Sequence, residues 1–142
     1  MNANLIARTS VTVNAPNAKV WDALVSPEAI KQYYFGTNAV SDWLEGSAIS
    51  WKGEFKGKPY EDKGVILRLE PGKTFQYSHF SPLSGQPEKP ENYDTVTIEL
   101  SDEENQTHVS QAQNNNSTEK ARDHTKQSWE TMLKSLRKFL EQ

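Results

Sequence analysis

The sequence predicts an α+β fold: a curved antiparallel sheet of about six strands wrapped around one long C-terminal helix, with two short helices after the first strand. Three observations carry this expectation. Apolar and aromatic residues recur at every second position through residues 51–80, as in Phe75, Tyr77 and His79. Period two belongs to a sheet with one covered face. The last 25 or so residues carry a stripe of Trp129, Met132 or Leu133, Leu136 and Phe139 or Leu140, the spacing of an amphipathic helix. The order is strand, two short helices, about five strands, then a long helix, which is an α+β layout.

Each element has its own signal. Leu5, Ala7, Thr9, Val11 and Val13 alternate as a first strand. Pro16 suits the first position of a helix, with Asn14 or Ala15 near the cap. Val20, Trp21 and Leu24 then fall on one side of that helix. Ser26-Pro27-Glu28 is a second helix start: a capping hydroxyl, proline, and an acid in the first turn. That helix runs into Tyr33-Tyr34-Phe35-Gly36. Strands are expected at about 48–55, 60–70, 73–80, 93–101 and 106–113. Glu70–Lys73 and Asp102–Asn105 read as turns, and the proline-rich stretch 81–92 as an exposed loop at the rim. Asn116 with Glu119 three residues on resembles a capping box for the final helix. Trp51, Phe55, Val65, Leu67, Leu69, Phe75, Tyr77, Val96, Ile98 and Val109 are expected on one inner face.

Composition bounds the function. With 142 residues the chain is expected to form one domain, residues 1–142. It contains no cysteine, which excludes disulfides, thiolate metal sites and cysteine nucleophiles. The net charge is −3 with both signs interspersed, unlike the basic stripe of a nucleic-acid binder. No stretch is long and apolar enough for membrane insertion, and no N-terminal leader pattern is visible, so a cytoplasmic protein is expected.

In its sequence order the chain resembles a known family. The residues that carry the resemblance are APNAKVWDAL at 15–24, SPEAIKQYYFG at 26–36, YEDKGVILRLEPGKTFQYSHF at 60–80, ENYDTVTIEL at 91–100 and SWETMLKSLRKFLE at 128–141. Together they are similar to the START-like (SRPBCC) superfamily with the helix-grip fold, and most to homologues of the activator of heat-shock protein 90 ATPase. Ser128 stands where many relatives have glycine before the helix tryptophan, and Tyr33 and Tyr34 stand where many have tryptophans. The resemblance implies the fold. Its members include co-chaperone domains and, more distantly, lipid carriers and polyketide cyclases, so it leaves the function open.

Catalytic chemistry is sparse. His79, His108 and His124 show no metal-ligand spacing, so no metal and no cofactor are expected. No serine sits in a nucleophile-elbow pattern, and no catalytic residue is assigned. Val109, Gln111 and Gln113 share a face if the last strand alternates, placing amides on an apolar surface. Two readings remain open: a pocket with a few convergent polar groups, or aromatics in an ordinary core with Gln111 and Gln113 past it, at a strand end in water. The first-choice expectation is non-catalytic binding of a small apolar or amphipathic molecule between the sheet and the final helix. Trp51, Phe75 and Tyr77 would form walls, His79 and Gln111 would orient a polar group, and Thr125 and Trp129 would form the lid side. Tyr77, His79, Gln111 and Thr125 are expected to cluster. The alternatives are a module that binds a chaperone or another protein, and a cyclase-like enzyme with His79 as its acid–base.

Overall fold

The structure, a computed structural model, describes residues 5–55, 57–82 and 85–141. The side chain of Phe55, and residues 83 and 84 of the expected rim loop, lie outside the described residues. The elements in order are β1 (Leu5–Val13), α1 (Asn17–Leu24), α2 (Pro27–Tyr33), β2 (Asn38–Ser41), β3 (Ala48–Phe55), β4 (Lys58–Glu70), β5 (Thr74–His79), β6 (Asp94–Glu103), β7 (Gln106–Asn116) and α3 (Glu119–Leu140). All seven strands form one antiparallel sheet, ordered β1-β7-β6-β5-β4-β3-β2. The sheet therefore has one strand more than expected. The extra one, β2, is only four residues, Asn-Ala-Val-Ser, too short and polar to show a period.

Hairpin turns account for most of the sheet order. Between β4 and β5 the Lys73 amide donates to the Glu70 carbonyl at 2.9 Å, and Gly72 takes φ +75°, which an L side chain adopts only with strain. The first and last strands pair at the far side through a continuous register from Ala7↔Gln113 to Val13↔Thr107. The three helices cover the inner face. Trp129, Met132, Leu133, Leu136 and Leu140 of α3 are buried there, with Val20, Trp21, Ala23 and Leu24 of α1. Each such side chain contributes about 1.5–3 kcal/mol on leaving water.

The caps differ in detail from expectation. Pro16 is itself the N-cap of α1, one position before the first helical residue. Ser26 caps α2 as expected, its Oγ accepting from the Ala29 amide at 3.3 Å. The cap of α3 is Thr118, whose Oγ1 accepts from the Ala121 amide at 3.0 Å. Asn116 instead ends β7, and its side-chain amide donates to the Leu5 and Gln113 carbonyls. Its Oδ1 acceptor takes the Thr125 hydroxyl from within α3 at 2.9 Å and not a backbone amide of the first turn.

The expected inner face is wrong in one strand. Ile66 is fully buried, while Val65 and Leu67 are exposed. Pairing with β5 passes from Ile66↔Tyr77 to Arg68↔Gln76, so β4 spends two residues against one. This bulge slips the alternation and returns Leu69 to the core side. In Gly-Val-Ile-Leu-Arg-Leu both phases are apolar, so period alone cannot choose between them.

Candidate ligand cleft

The interior between sheet and helices is nearly full. Trp51 stacks near Tyr77 with ring centroids 4.8 Å apart, Tyr77 near Phe75 at 5.1 Å, and Phe75 meets the Trp21 edge at 6.4 Å. The space left among them is about 20 Å³, little more than one water. The three residues expected as pocket walls, Trp51, Phe75 and Tyr77, are thus packed core residues at the back of that small void.

Two open hollows lie in front of it. One, of about 290 Å³, is bounded by Gln113, Thr125, Trp129 and Met132 under α3. The other, of about 270 Å³, is bounded by Thr37, Tyr60 and Asp62. Tyr34 lines both hollows and the interior void, and Phe35 lines both hollows. Tyr34 is the C-cap of α2, its amide held by the Ile30 carbonyl at 2.8 Å, and its ring meets the Trp129 ring edge-on at 6.0 Å. Phe35 follows with φ +51° and Gly36 with φ +83°. Phe35 is 64 % exposed. A non-glycine left-handed residue carrying an exposed aromatic ring is uncommon, and such strain clusters at functional sites.

A polar chain crosses the sheet between the hollows. Asp62 on β4 contacts His79 on β5, Oδ2 to Nε2 at 2.9 Å. His79 Nδ1 faces Asp94 Oδ2 on β6 at 3.6 Å. Gln113 on β7 donates from Nε2 to Asp94 Oδ2 at 2.9 Å, and its Oε1 accepts from the Trp129 indole of α3 at 2.7 Å. Asp62 lies at the wall of one hollow, Gln113 and Trp129 at the wall of the other. Burial opposes charge on His79, but the hydrogen bond to Asp62 and the attraction of the Asp62 and Asp94 carboxylates outweigh it and lift its pKa to about 9. His79 is therefore an imidazolium at neutral pH, clasped between two carboxylates. Burial likewise raises the Tyr34 phenol, with Asp62 and Tyr60 adding to the effect, so the hydroxyl stays neutral.

The His79 pairing has a pH signature. Its folded pKa lies above the ordinary 6.5. The stabilisation is therefore complete below about pH 6.5 and is lost as pH rises through about 9. Denaturant midpoints should show the wild type losing about 2–3 kcal/mol between pH 6 and 9.5 relative to His79→Gln. Parallel pH profiles for the two proteins would contradict the pairing.

The expected cluster of Tyr77, His79, Gln111 and Thr125 does not form. Tyr77 sits in the aromatic core, His79 between its carboxylates, and Thr125 donates from Oγ1 to Asn116 Oδ1 at 2.9 Å. Gln111 is buried with neither amide atom hydrogen-bonded. Its neighbour on the same face, Gln113, makes the polar contacts. Gln111→Leu should raise stability by about 1 kcal/mol in chemical denaturation, because it removes an unsatisfied buried amide. Of the seven expected residues, Thr125 and Trp129 border the hollow under α3, and Gln111 lines a separate one between β1, β6 and β7. Sequence reasoning left out Tyr34, Phe35, Asp62 and Asp94 as site residues. The aromatic run at 33–35, just past a helix end, was the available signal.

The architecture of a twisted antiparallel sheet gripping a C-terminal helix, with a cleft at the helix's polar end, defines a helix-grip protein of the START-like superfamily. A profile of the family described as activator of Hsp90 ATPase homolog 1-like protein matches residues 14–141, and the chain belongs to that family. It is similar to the solution structure of ChR145 from Cytophaga hutchinsonii, with 55 % identity, a TM-score of 0.86, and coverage of 99 % of this chain and 97 % of that one. The Aha1 dimer from Colwellia psychrerythraea shares 24 % identity at a TM-score of 0.74, covering 96 % of each chain. CalU16 from Micromonospora echinospora shares 22 % at 0.74, covering 95 % of this chain and 83 % of that one. The last two likenesses are of fold alone. No curated protein matches the chain.

Proposed function

We propose that the protein binds a small amphipathic molecule, without covalent chemistry, in the cleft that Tyr34 and Phe35 divide. The carrying observation is that one ring, Tyr34, borders both hollows and the interior void. Turning that ring aside would join three spaces into one channel from Trp129 to Asp62. Each hollow alone is near the lower limit of a small-molecule site, and joined they fall inside the usual range of roughly 300–1,000 Å³. The left-handed Phe35-Gly36 pair supplies the hinge. His79 is a poor acid–base for a cyclase, because both ring nitrogens face carboxylates. Thr125→Leu tests the α3 side. It should cost about 1 kcal/mol, for the hydrogen bond lost to the buried Asn116, well short of a core truncation, while altering the affinity of any amphipathic probe the wild type accepts. A stability loss as large as that of a core truncation, or unaltered binding, would remove Thr125 from the wall.

A second reading is favoured by a separate observation. Val40, Val65 and Leu67 lie exposed on the outer face of β2 and β4, beside a shallow hollow of about 600 Å³. An apolar row on an outer sheet face marks an interaction surface, and the Colwellia relative is a dimer. Under this reading Val65→Lys with Leu67→Lys would abolish a concentration-dependent rise in molar mass in sedimentation. A mass equal to that of one chain at every concentration would count against self-association.

A further inference from the structure

We infer that the Asp62 side of the cleft takes the ammonium group of its ligand, so that the ligand is an amphipathic organic cation. This rests on the small-molecule reading above and adds the ligand's charge. Tyr34, Phe35, Tyr60 and Asp62 line this hollow, Glu54 stands at it, and among the described residues none that lines it is basic. Aromatic faces beside a carboxylate are the chemistry that recognises ammonium groups. Asp62 spends Oδ2 on His79, while its Oδ1, buried just behind the hollow's surface, has no hydrogen-bond partner among the described residues. The charges behind it sum to the same sign: one imidazolium at His79 stands against the two carboxylates of Asp62 and Asp94. Tyr60 is turned toward the cleft because it packs over Gly53, where an added Cβ would lie 2.7 Å from its hydroxyl. That hydroxyl is also fixed by Thr37 Oγ1 at 3.0 Å.

The opposite hollow differs in kind. There the amide of Gln113 is already spent at both ends, on Asp94 and on the Trp129 indole. The hydroxyls of Thr125 and Ser128 are likewise spent, on Asn116 and on the His124 carbonyl, so what remains beside His124 is the apolar surface of Met132, Trp129, Phe35 and Tyr34, with no carboxylate among the described lining residues. That side suits an uncharged body. The two sides together select a molecule with a hydrocarbon or aromatic body and one cationic end.

Three probes with one skeleton test the charge: 3-phenylpropylammonium, 3-phenylpropan-1-ol and 3-phenylpropanoate, titrated at neutral pH and followed by amide NMR. The cation should bind at least about tenfold tighter than the alcohol, and the carboxylate more weakly still. Its shifts should centre on Phe35, Tyr60 and Asp62. Asp62→Asn keeps an acceptor for His79 and should erase the preference for the cation. Phe35→Leu alters an exposed ring, leaves the His79 contacts intact, and should weaken the cation more than the alcohol. Equal binding of all three probes, the carboxylate binding best, or a preference that survives Asp62→Asn would overturn the cation assignment while leaving the cleft reading in place. If no probe of any charge shifts the cleft, the cleft reading falls and this inference falls with it.

Discussion

Gly64→Ala is expected to be among the most damaging single-methyl additions in this chain. A Cβ built on Gly64 would lie 1.7 Å from the Ser78 carbonyl oxygen and 2.6 Å from its carbon. Both are backbone atoms of the neighbouring strand, so no side chain can swing away. The strands are tied on either side of that point. Lys63 and Phe80 exchange both amide–carbonyl bonds at 3.0 and 2.8 Å, and the Val65 amide donates to Ser78 Oγ at 2.9 Å. Relief would require β4 and β5 to part, and with them the Asp62–His79 contact two residues away. Overpacking typically costs about 1–3 kcal/mol, and a backbone clash belongs at or beyond the upper end. Urea denaturation should show a loss of about 3 kcal/mol or more. A midpoint within experimental error of wild type would show that Gly64 is not the point of close approach.

Leu136→Ala should cost about 2–5 kcal/mol, through lost transfer energy and the cavity left behind. Leu136 is fully buried, on the same stripe of α3 as Trp129 and Leu133. The helices around it are tied together: next to Leu136, Ser135 donates from Oγ to the Tyr33 carbonyl at 2.6 Å, and the Tyr33 hydroxyl donates to the Ala23 carbonyl at 3.1 Å. The first tie fixes α2 against α3 and the second fixes α2 against α1, so the helical layer cannot collapse freely to fill the void. Equilibrium unfolding measures the loss directly. A cost under about 1 kcal/mol would mean the helix stripe is not anchored as described.

The scaffold was readable because its signals are redundant. The stripe from Trp129 to Leu140 is helical on several positions at once, and the alternation in β5 and β6 agrees with the turns that bound them. Where two phases were both apolar, as around Ile66, only the bulge decided, and a bulge depends on the partner strand. The site was less readable for a related reason. Asp62, His79, Asp94, Gln113 and Trp129 come from four strands and a helix, and nothing local in the sequence announces that their registers align. Gln111 and Gln113 share a face and a residue type, yet only Gln113 reaches the α3 indole. Tyr34 shows only as part of the aromatic run 33–35, which fits neither a helical nor a strand period. Its role comes from sitting where a short helix ends against the mouth of the sheet.

The central claim is that a small molecule enters the cleft divided by Tyr34, and amide NMR of the whole chain during titration with 3-phenylpropylammonium tests it most directly. Saturable shifts should appear on both sides of the partition, at Tyr34 to Thr37, at Asp62 and Gln113, and along Thr125 to Met132, while Val40, Val65 and Leu67 on the outer face stay still. Shifts confined to the outer face, or none at any concentration with the fold intact, would contradict it.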